Sequence, residues 1–270
     1  MNEPNSSETP ASPLPLSPRG EWFTRYAWVP FLAPLVAYMV APMLFDLTKP
    51  GDHLTAEHYA RAQKAYANNL LWLATLRAAL LLPILWLVAT GLRLPRPRVS
   101  WLAIAVGVVG VVLWVGVDMI GIRQWASAQL GEESWVGGFL FPARDATNPY
   151  DLYGAGTPTF YWFLATRFIG LVVIVALTEE LMLRGWLMRL VDNPEFWRVP
   201  FGQVTMRAAG IGIGFEVLIH PEKLAAVVWF SLTTWLMFKT KSFWDCVAAH
   251  AVTNLLLGVW VLYSGQWELW

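Results

Sequence analysis

Long apolar segments are the feature that most constrains this chain. A helix needs roughly 20 apolar residues to cross the hydrocarbon core of a bilayer, and only structures that satisfy their own backbone polar groups are stable there. Seven apolar runs lie at about 26–45, 70–92, 101–121, 160–191, 203–219, 223–238 and 243–263. They predict an all-α, polytopic transmembrane helix bundle of about seven helices. The range is six to eight, because the short fifth and sixth runs also fit one re-entrant hairpin.

The composition agrees with this class. Hydrophobic residues make up 56% of the chain and charged residues only 14%, whereas soluble domains carry roughly a quarter charged residues. The formal net charge is zero, which gives no electrostatic footprint for nucleic acid. The single cysteine, Cys246, allows neither an internal disulfide nor a multi-thiolate metal site. We therefore expect the lipid bilayer, and no nucleic acid, as a partner.

The ends of the runs indicate domain organisation and orientation. The first 20 residues hold five prolines among Ser, Asn and Glu, which predicts a disordered tail over 1–20 without a cleavable signal peptide, followed by a single transmembrane domain over 21–270. Lys and Arg gather at 19–25, 93–98 and 239–241. With seven spans these stretches fall on one side, and the excess of Lys and Arg in cytoplasmic loops predicts an N-terminus in the cytoplasm.

Two carboxylates and a guanidinium interrupt the fourth run, in the segment "LTEELMLRGW". An ionisable residue at the bilayer centre costs about 2.5–3.5 kcal/mol and usually faces a cavity or a partner. Glu180 and Arg184 are four residues apart on one helical face, which predicts a structural ion pair. Glu179 points about 100° away from Glu180 and is left unpaired. Burial disfavours the charge on such a carboxyl and makes it a useful base near neutral pH, although a purely structural network of all three residues explains the segment equally well.

Two of the four histidines lie in or beside apolar runs. His220 ends "IGIGFEVLIH", and His250 lies four residues before Asn254, on the same helical face. The other two, His53 and His58, fall in the first polar loop, where solvation explains them. A glutamate with one histidine can deprotonate a water for attack on a peptide carbonyl, while an asparagine amide and a second histidine stabilise the oxyanion. The set is chemically sufficient for peptide hydrolysis.

The motifs "EELMLR" and "HAVTN" match the EExxxR and HxxxN motifs of the CAAX-protease and bacteriocin-processing (CPBP or Abi) intramembrane proteases. The chain resembles that family over 160–263, the expected catalytic core. The family's middle motif, FxxxH, is matched imperfectly, because Glu216 stands four residues before His220 and Phe215 lies one place earlier. The pattern "FEVLIHPEKLAAVVW" is similar to a subgroup, the CAAX prenyl protease-related proteins, that accompanies exosortase sorting systems.

The resemblance implies a glutamic-type endopeptidase of the bacterial inner (plasma) membrane that needs no cofactor and no metal. Glu179 is then the water-activating base, His220 assists it, and His250 with Asn254 forms the oxyanion site. The implied substrate is a peptide or protein, lipidated or membrane-anchored in the prenyl-protein branch of the family.

One geometrical problem concerns the depth of Glu179 and His220. Straight alternating spans place them at different depths in the membrane. A broken fourth helix or a re-entrant start near Pro200 would bring them together, and the three glycines of 210–214 would permit close helix approach.

Three other interpretations stay open. A zinc-dependent membrane protease would use both intramembrane histidines and Glu179 as ligands, although the HExxH pair of common zinc proteases is absent. A non-catalytic immunity or scaffold protein would share the fold, since fold does not fix function. A transporter would pass charge along an intramembrane chain, although no inverted repeat is evident; that chain would consist of Arg77, Asp118, Arg167 and Glu179.

Overall fold

The computed structural model describes residues 14–45, 55–122 and 148–269, together with the isolated positions 125, 128, 129 and 139. Helices form at all seven predicted runs. The N-terminal half contains α1 (Gly20–Arg25), α2 (Val29–Phe45), α3 (Ala56–Ala79), α4 (Leu81–Gly91) and α5 (Trp101–Met119). The C-terminal half contains α6 (Pro149–Tyr153), α7 (Pro158–Asp192), α8 (Met206–Ile219), α9 (Lys223–Thr240) and α10 (Phe243–Ser264), with short 3-10 turns at Phe196–Arg198 and Trp267–Leu269.

The predicted all-α class is confirmed, since the described residues form no strand beyond one isolated bridge between Pro18 and Leu92. Four helices in this part of the chain are long and apolar enough to cross a membrane: Arg61–Gly91, Trp101–Met119, Pro158–Asp192 and Phe243–Ser264. α8 has only 14 residues, about 21 Å of helix, which is less than the roughly 30 Å of a hydrocarbon core. His53, in the predicted first polar loop, lies outside the described residues. His58 was expected in the same loop but lies in the first turn of α3, where its Nδ1 and the Thr55 hydroxyl share a 2.6 Å hydrogen bond.

Local sequence fixes where the long helices begin. Ser100, Thr157, Thr205 and Ser242 precede α5, α7, α8 and α10, and each side-chain oxygen accepts a hydrogen bond from a backbone N–H of the first turn. Such caps satisfy donors that have no partner within the helix. The helix starts are therefore set by individual hydroxyl residues rather than by the apolar pattern alone.

The centre of the bundle is α5 packed between α9 and α10. Two glycines of α5 permit this close approach: a Cβ at Gly107 would lie 2.7 Å from Cβ of Val252, and one at Gly110 would overlap the ring of Trp229. Small residues at such positions let helix backbones approach within a membrane. The Trp229 ring in turn packs edge-on against His250, with ring centroids 5.9 Å apart, so this packing positions a predicted site residue.

One end of the bundle gathers the three basic stretches. The Asp245 carboxylate accepts hydrogen bonds from the Ser100 N–H at 2.7 Å and the Ser100 hydroxyl at 3.0 Å, so α5 and α10 begin at the same end. The N–H of Leu16 donates to the carbonyl oxygen of Arg93 at 2.7 Å, and the Leu16 side chain is fully buried. Residues 14–19, which fall within the predicted tail, therefore pack against the bundle, whereas 1–13 lie outside the described residues.

The length of α8 bears on the depth problem that straight spans pose for Glu179 and His220. At about 1.5 Å per residue, Glu179 lies about 20 Å from the Asp192 end of α7. His220 lies about 21 Å from the start of α8 by the same measure. Thr205 joins the two helix ends, because its N–H and hydroxyl both donate to the Asp192 carboxylate at 2.6 Å. The short α8 thus brings His220 level with Glu179, while α7 runs without interruption over Pro158–Asp192.

α7 departs from regular α-helix on both sides of the glutamates. It winds as π-helix over Ile169–Val175 and again over Leu181–Leu187, with the α-helical Ala176–Glu180 between them. π-helical turns are uncommon and occur often at functional sites. Of the glycines in 210–214, only Gly212 faces α7 closely, where an added Cβ would lie 2.6 Å from the Met188 side chain.

Candidate active site

His250 lies between the two glutamates of α7. Its Nδ1 lies 3.0 Å from Oε1 of Glu180, in hydrogen-bond contact, and its Nε2 lies 3.7 Å from Oε2 of Glu179. Neighbouring helical residues point about 100° apart. The two nitrogens of the imidazole lie on different edges of the ring, so one ring can approach both glutamates. Because a carboxylate only accepts, Nδ1 carries a hydrogen towards Glu180, which leaves Nε2 facing Glu179.

Arg184 holds Glu180 in its position beside His250. Its side chain is fully buried, and its guanidinium donates to Oε2 of Glu180 and to the Thr233 hydroxyl of α9. The guanidinium carbon also lies 5.9 Å from the ring centroid of Phe230. Glu180 is likewise fully buried. The two residues form an ion pair that joins α7 to α9 and, through His250, to α10.

His220 terminates α8 and is held by the turn that ends the helix. Its backbone N–H donates to the carbonyl oxygen of Glu216 at 3.0 Å, and its Nδ1 lies 2.9 Å from the same oxygen. Since a carbonyl oxygen only accepts, Nδ1 carries a hydrogen and the lone pair of the neutral ring is on Nε2. The ring packs edge-on against Phe230 and Trp114, at centroid distances of 5.0 and 6.3 Å.

Glu216 is a residue of this site that the sequence prediction missed. Its side chain is fully buried, and neither carboxyl oxygen has a hydrogen-bond partner. Nδ1 of His220 lies 3.4 Å from Oε2 without the alignment of a hydrogen bond, because its N–H points at the main-chain carbonyl. A carboxylate oxygen of Glu179, a carboxylate oxygen of Glu216 and a ring nitrogen of His220 lie within 4.8 Å of one another, and all three are atoms that can bind a metal ion. The available signal was the i, i+4 spacing of Glu216 and His220, which places both on one helical face.

All four predicted catalytic residues border one cavity of about 300 Å³. Glu179 and His220 line it from α7 and α8, and His250 and Asn254 line it from α10. Much of the remaining wall is apolar or aromatic, and comes from Tyr38, Trp114, Leu171, Val175, Trp229, Phe230 and Leu257. The cavity therefore combines a polar cluster with the apolar surface expected of a substrate site within a membrane.

Asn254 has a fixed orientation at the edge of this cavity. Its Nδ2 donates a hydrogen bond to the carbonyl oxygen of Leu171, at 2.8 Å, within the first π-helical stretch of α7. The acceptor is a carbonyl, so the amide nitrogen is on that side. A side-chain amide carries two N–H hydrogens, and this contact uses one of them.

The structure also bears on the alternative ligand sets. Within the described residues, the group closest to metal-site geometry is Glu179, Glu216 and His220 rather than the predicted zinc set with both histidines. His250 is outside that group, although its Nε2 lies 3.7 Å from Oε2 of Glu179. Three members of the predicted charge chain, Arg77, Arg167 and Glu179, border the cavity. Asp118 does not line it. Cys246 is fully buried in the apolar core.

The part of the chain that contains this site is also the part that resembles a known protein family. Residues 160–256 match the family described as type II CAAX prenyl endopeptidase Rce1-like. The expected resemblance is thereby confirmed. The matched segment is just over a third of the chain and contains every acidic residue, histidine and amide of the cluster described above. No curated protein and no solved structure matches the chain significantly.

The match indicates a CAAX-type intramembrane endopeptidase, with a peptide or protein as substrate. Together with the four apolar helices, it indicates an integral membrane protein. The match does not subdivide the family, so the subgroup that accompanies exosortase systems stays a prediction.

Proposed function

We propose that this protein is a glutamic-type endopeptidase that hydrolyses a peptide bond with a water activated by Glu179. The observation that carries the proposal is the convergence of Glu179, His220, His250 and Asn254 on one cavity. General-base catalysis requires the base within hydrogen-bond reach of the water it deprotonates. Glu179 is placed for this role because it faces the cavity while Glu180 is committed to Arg184 and His250.

The reaction follows from these positions. Glu179 takes a proton from water as the water oxygen bonds to the peptide carbonyl carbon, and the carbonyl π electrons move to the carbonyl oxygen. The Nε2 edge of His250 and the second N–H of Asn254 stabilise that oxyanion. The C–N bond then breaks, and the proton on Glu179 passes to the departing amine nitrogen. His220 assists the base from α8.

The buried ion pair serves this chemistry through His250. The Nδ1–H of His250 donates to Glu180, which fixes the ring so that Nε2 faces the cavity. Arg184 holds Glu180 in turn. A carboxylate that orients a histidine in this way sets which ring nitrogen meets the substrate.

The substrate that suits the cavity is a lipidated or membrane-anchored peptide. The polar cluster is enclosed by apolar and aromatic walls on helices long enough to span a membrane, and the matched family is described by its action on prenylated CAAX proteins. The protein would act in the bacterial inner membrane with its N-terminus in the cytoplasm. The shared position of the basic stretches at 19–25, 93–98 and 239–241 supports that orientation, since such stretches favour the cytoplasmic side.

The test of this function is peptide cleavage by purified protein after exhaustive chelation, with elemental analysis of the same sample. A prenylated peptide with a CAAX terminus, and the same peptide without the prenyl group, are followed by mass spectrometry. We expect cleavage at one bond and unchanged activity after chelation. Loss of activity that added zinc restores, with near-stoichiometric metal before treatment, would instead make Glu179, Glu216 and His220 zinc ligands. No cleavage of any membrane-anchored peptide would favour the immunity or scaffold interpretation.

A further inference from the structure

A second cavity lies where two membrane helices begin. It has a volume of about 510 Å³, and it lies at the end of the bundle where the Asp245 carboxylate joins the starts of α5 and α10. Both helices are long and apolar enough to span a membrane. Trp101, the first residue of α5, is 88% exposed, as expected of an aromatic side chain at the level of the lipid headgroups. The cavity therefore lies at that level.

The wall of this cavity carries a surplus of positive charge. Three exposed cationic side chains line it, and they are Arg96, Arg98 and Lys241. Within the part of the chain that the structure describes, no carboxylate pairs with any of them. The one acid among the described lining residues is Asp245. It is buried, and its two oxygens already accept hydrogen bonds from the N–H and the hydroxyl of Ser100. The three cations are therefore available to an anion from outside the chain.

The two arginines belong to a segment whose backbone is held on both sides. The Nε1–H of Trp244 donates to the carbonyl oxygen of Pro95 at 3.0 Å, and the N–H of Arg93 donates to the carbonyl oxygen of Ser17 at 3.0 Å. Pro95 and Pro97 further restrict the backbone around the arginines. The cost of ordering this segment is thus met on folding, and little of it falls on the binding of an anion.

Lys241 occupies a backbone position that favours glycine. It follows the last residue of α9 with a φ of +51°, in the left-handed region that residues other than glycine and asparagine rarely adopt. Gly202 packs directly against it, because an added Cβ there would lie 3.1 Å from Cα of Lys241. A long cationic side chain at this position costs backbone strain that glycine would avoid. The retained lysine favours a role for its ammonium group in the cavity.

We propose that this cavity binds the phosphate headgroup of an anionic phospholipid. Guanidinium and ammonium groups donate charge-assisted hydrogen bonds to phosphate oxygens, and the starts of two long helices add a field that favours an anion. Basic pockets between membrane helices are a known setting for such headgroups. The apolar side chains of Val99, Phe201 and Trp244 also line the cavity, which suits the glycerol and upper acyl region of a lipid. The inference does not depend on the proposed peptidase activity.

The experiment compares two triple variants that lose the same charge. The cavity variant replaces the lining cations with glutamine: Arg96→Gln, Arg98→Gln and Lys241→Gln. The control variant replaces three exposed cations of the same end that do not line the cavity: Arg19→Gln, Arg25→Gln and Lys239→Gln. Each variant removes three positive charges from one face of the protein, so the general attraction to anionic lipid falls equally in both. A difference between them therefore reports the cavity itself.

Binding is measured by native mass spectrometry of detergent-purified protein titrated with phosphatidylglycerol and, separately, with zwitterionic phosphatidylcholine. We expect the parent and the control variant to bind one phosphatidylglycerol at least about tenfold more tightly than phosphatidylcholine, and the cavity variant to lose this preference. Equal losses in the two triple variants, or a parent protein without the preference, would overturn the proposal. Displacement of the lipid by low millimolar inorganic phosphate would make free phosphate the ligand, and displacement by a polyglutamate peptide would make it an acidic protein segment. Either result overturns the lipid assignment.

The single variant Lys241→Gly serves if the triple cavity variant does not fold. Glycine relieves the left-handed backbone while it removes one cation, so we expect the thermal unfolding temperature to be no lower than that of the parent. The affinity for phosphatidylglycerol should fall about fivefold, as expected for one basic residue at a membrane surface. A purely structural lysine would leave this affinity unchanged, and an unchanged affinity in folded Lys241→Gly would contradict the proposal.

Discussion

Removing one member of the buried ion pair should be costly, and removing both should cost less than the sum. Arg184 and Glu180 have no solvent exposure, so Arg184→Ala leaves a buried carboxylate with His250 as its remaining partner. Glu180→Ala leaves a buried guanidinium with the Thr233 hydroxyl. Breaking a buried pair from one side costs about 3–5 kcal/mol, a large part of the roughly 5–15 kcal/mol by which proteins are stable. Simple addition would give about 6–10 kcal/mol for the double variant.

We expect the double variant to fall short of that sum by about 2–3 kcal/mol, because it leaves neither charge without its partner. The assay is reversible unfolding in mixed micelles of mild detergent and SDS, followed by circular dichroism, for the parent, both single variants and the double variant. The Arg198–Glu195 pair is a matched control. Its Nε–Oε2 distance is 2.9 Å, but its side chains are 66% and 50% exposed, so its coupling should be at most about 1 kcal/mol. Equal coupling energies for the two pairs, or additivity at the buried pair, would refute the reasoning.

Two further predictions concern helix packing and the oxyanion site. Gly110→Ala should cost about 1–3 kcal/mol and reduce activity, because the added methyl group displaces the Trp229 ring that packs on His250. Gly116→Ala, which meets no atom within 4 Å, should leave thermal stability and activity near the parent values; equal losses for the two variants would contradict the packing argument. Asn254→Ala should lower kcat by about 10²–10³-fold with a folded protein, as expected for one lost oxyanion donor, and an unchanged kcat would remove Asn254 from the mechanism.

The sequence predicted the helices well because apolar length is a strong signal in a membrane protein. It also predicted the partner of Glu180, since an i, i+4 pair needs only helical geometry. It left the relative depth of Glu179 and His220 open, because an apolar run shows where a helix exists but not how far the chain returns before the next helix starts. That distance depends on the Thr205 cap and its contact with Asp192, which neither hydropathy nor periodicity reveals.

Glu216 was missed for a different reason. It stands where the FxxxH motif of the resembled family has phenylalanine, so the motif points to His220 alone. A charged residue inside an apolar run is itself a functional hypothesis, and this argument applies to Glu216 as directly as to Glu179. The π-helical turns around the glutamates could not be predicted, because no simple periodicity marks where a helix gains one residue in a turn.

The most direct test of the account is the turnover of Glu179→Gln. A neutral amide keeps the volume of the side chain but cannot accept the water proton, so we expect kcat to fall by about 10²–10⁴-fold or more while circular dichroism and thermal stability remain close to those of the parent. Glu195→Gln, an exposed change of the same type, should retain full activity. Turnover of folded Glu179→Gln at the parent rate would contradict the assignment of Glu179 as the base.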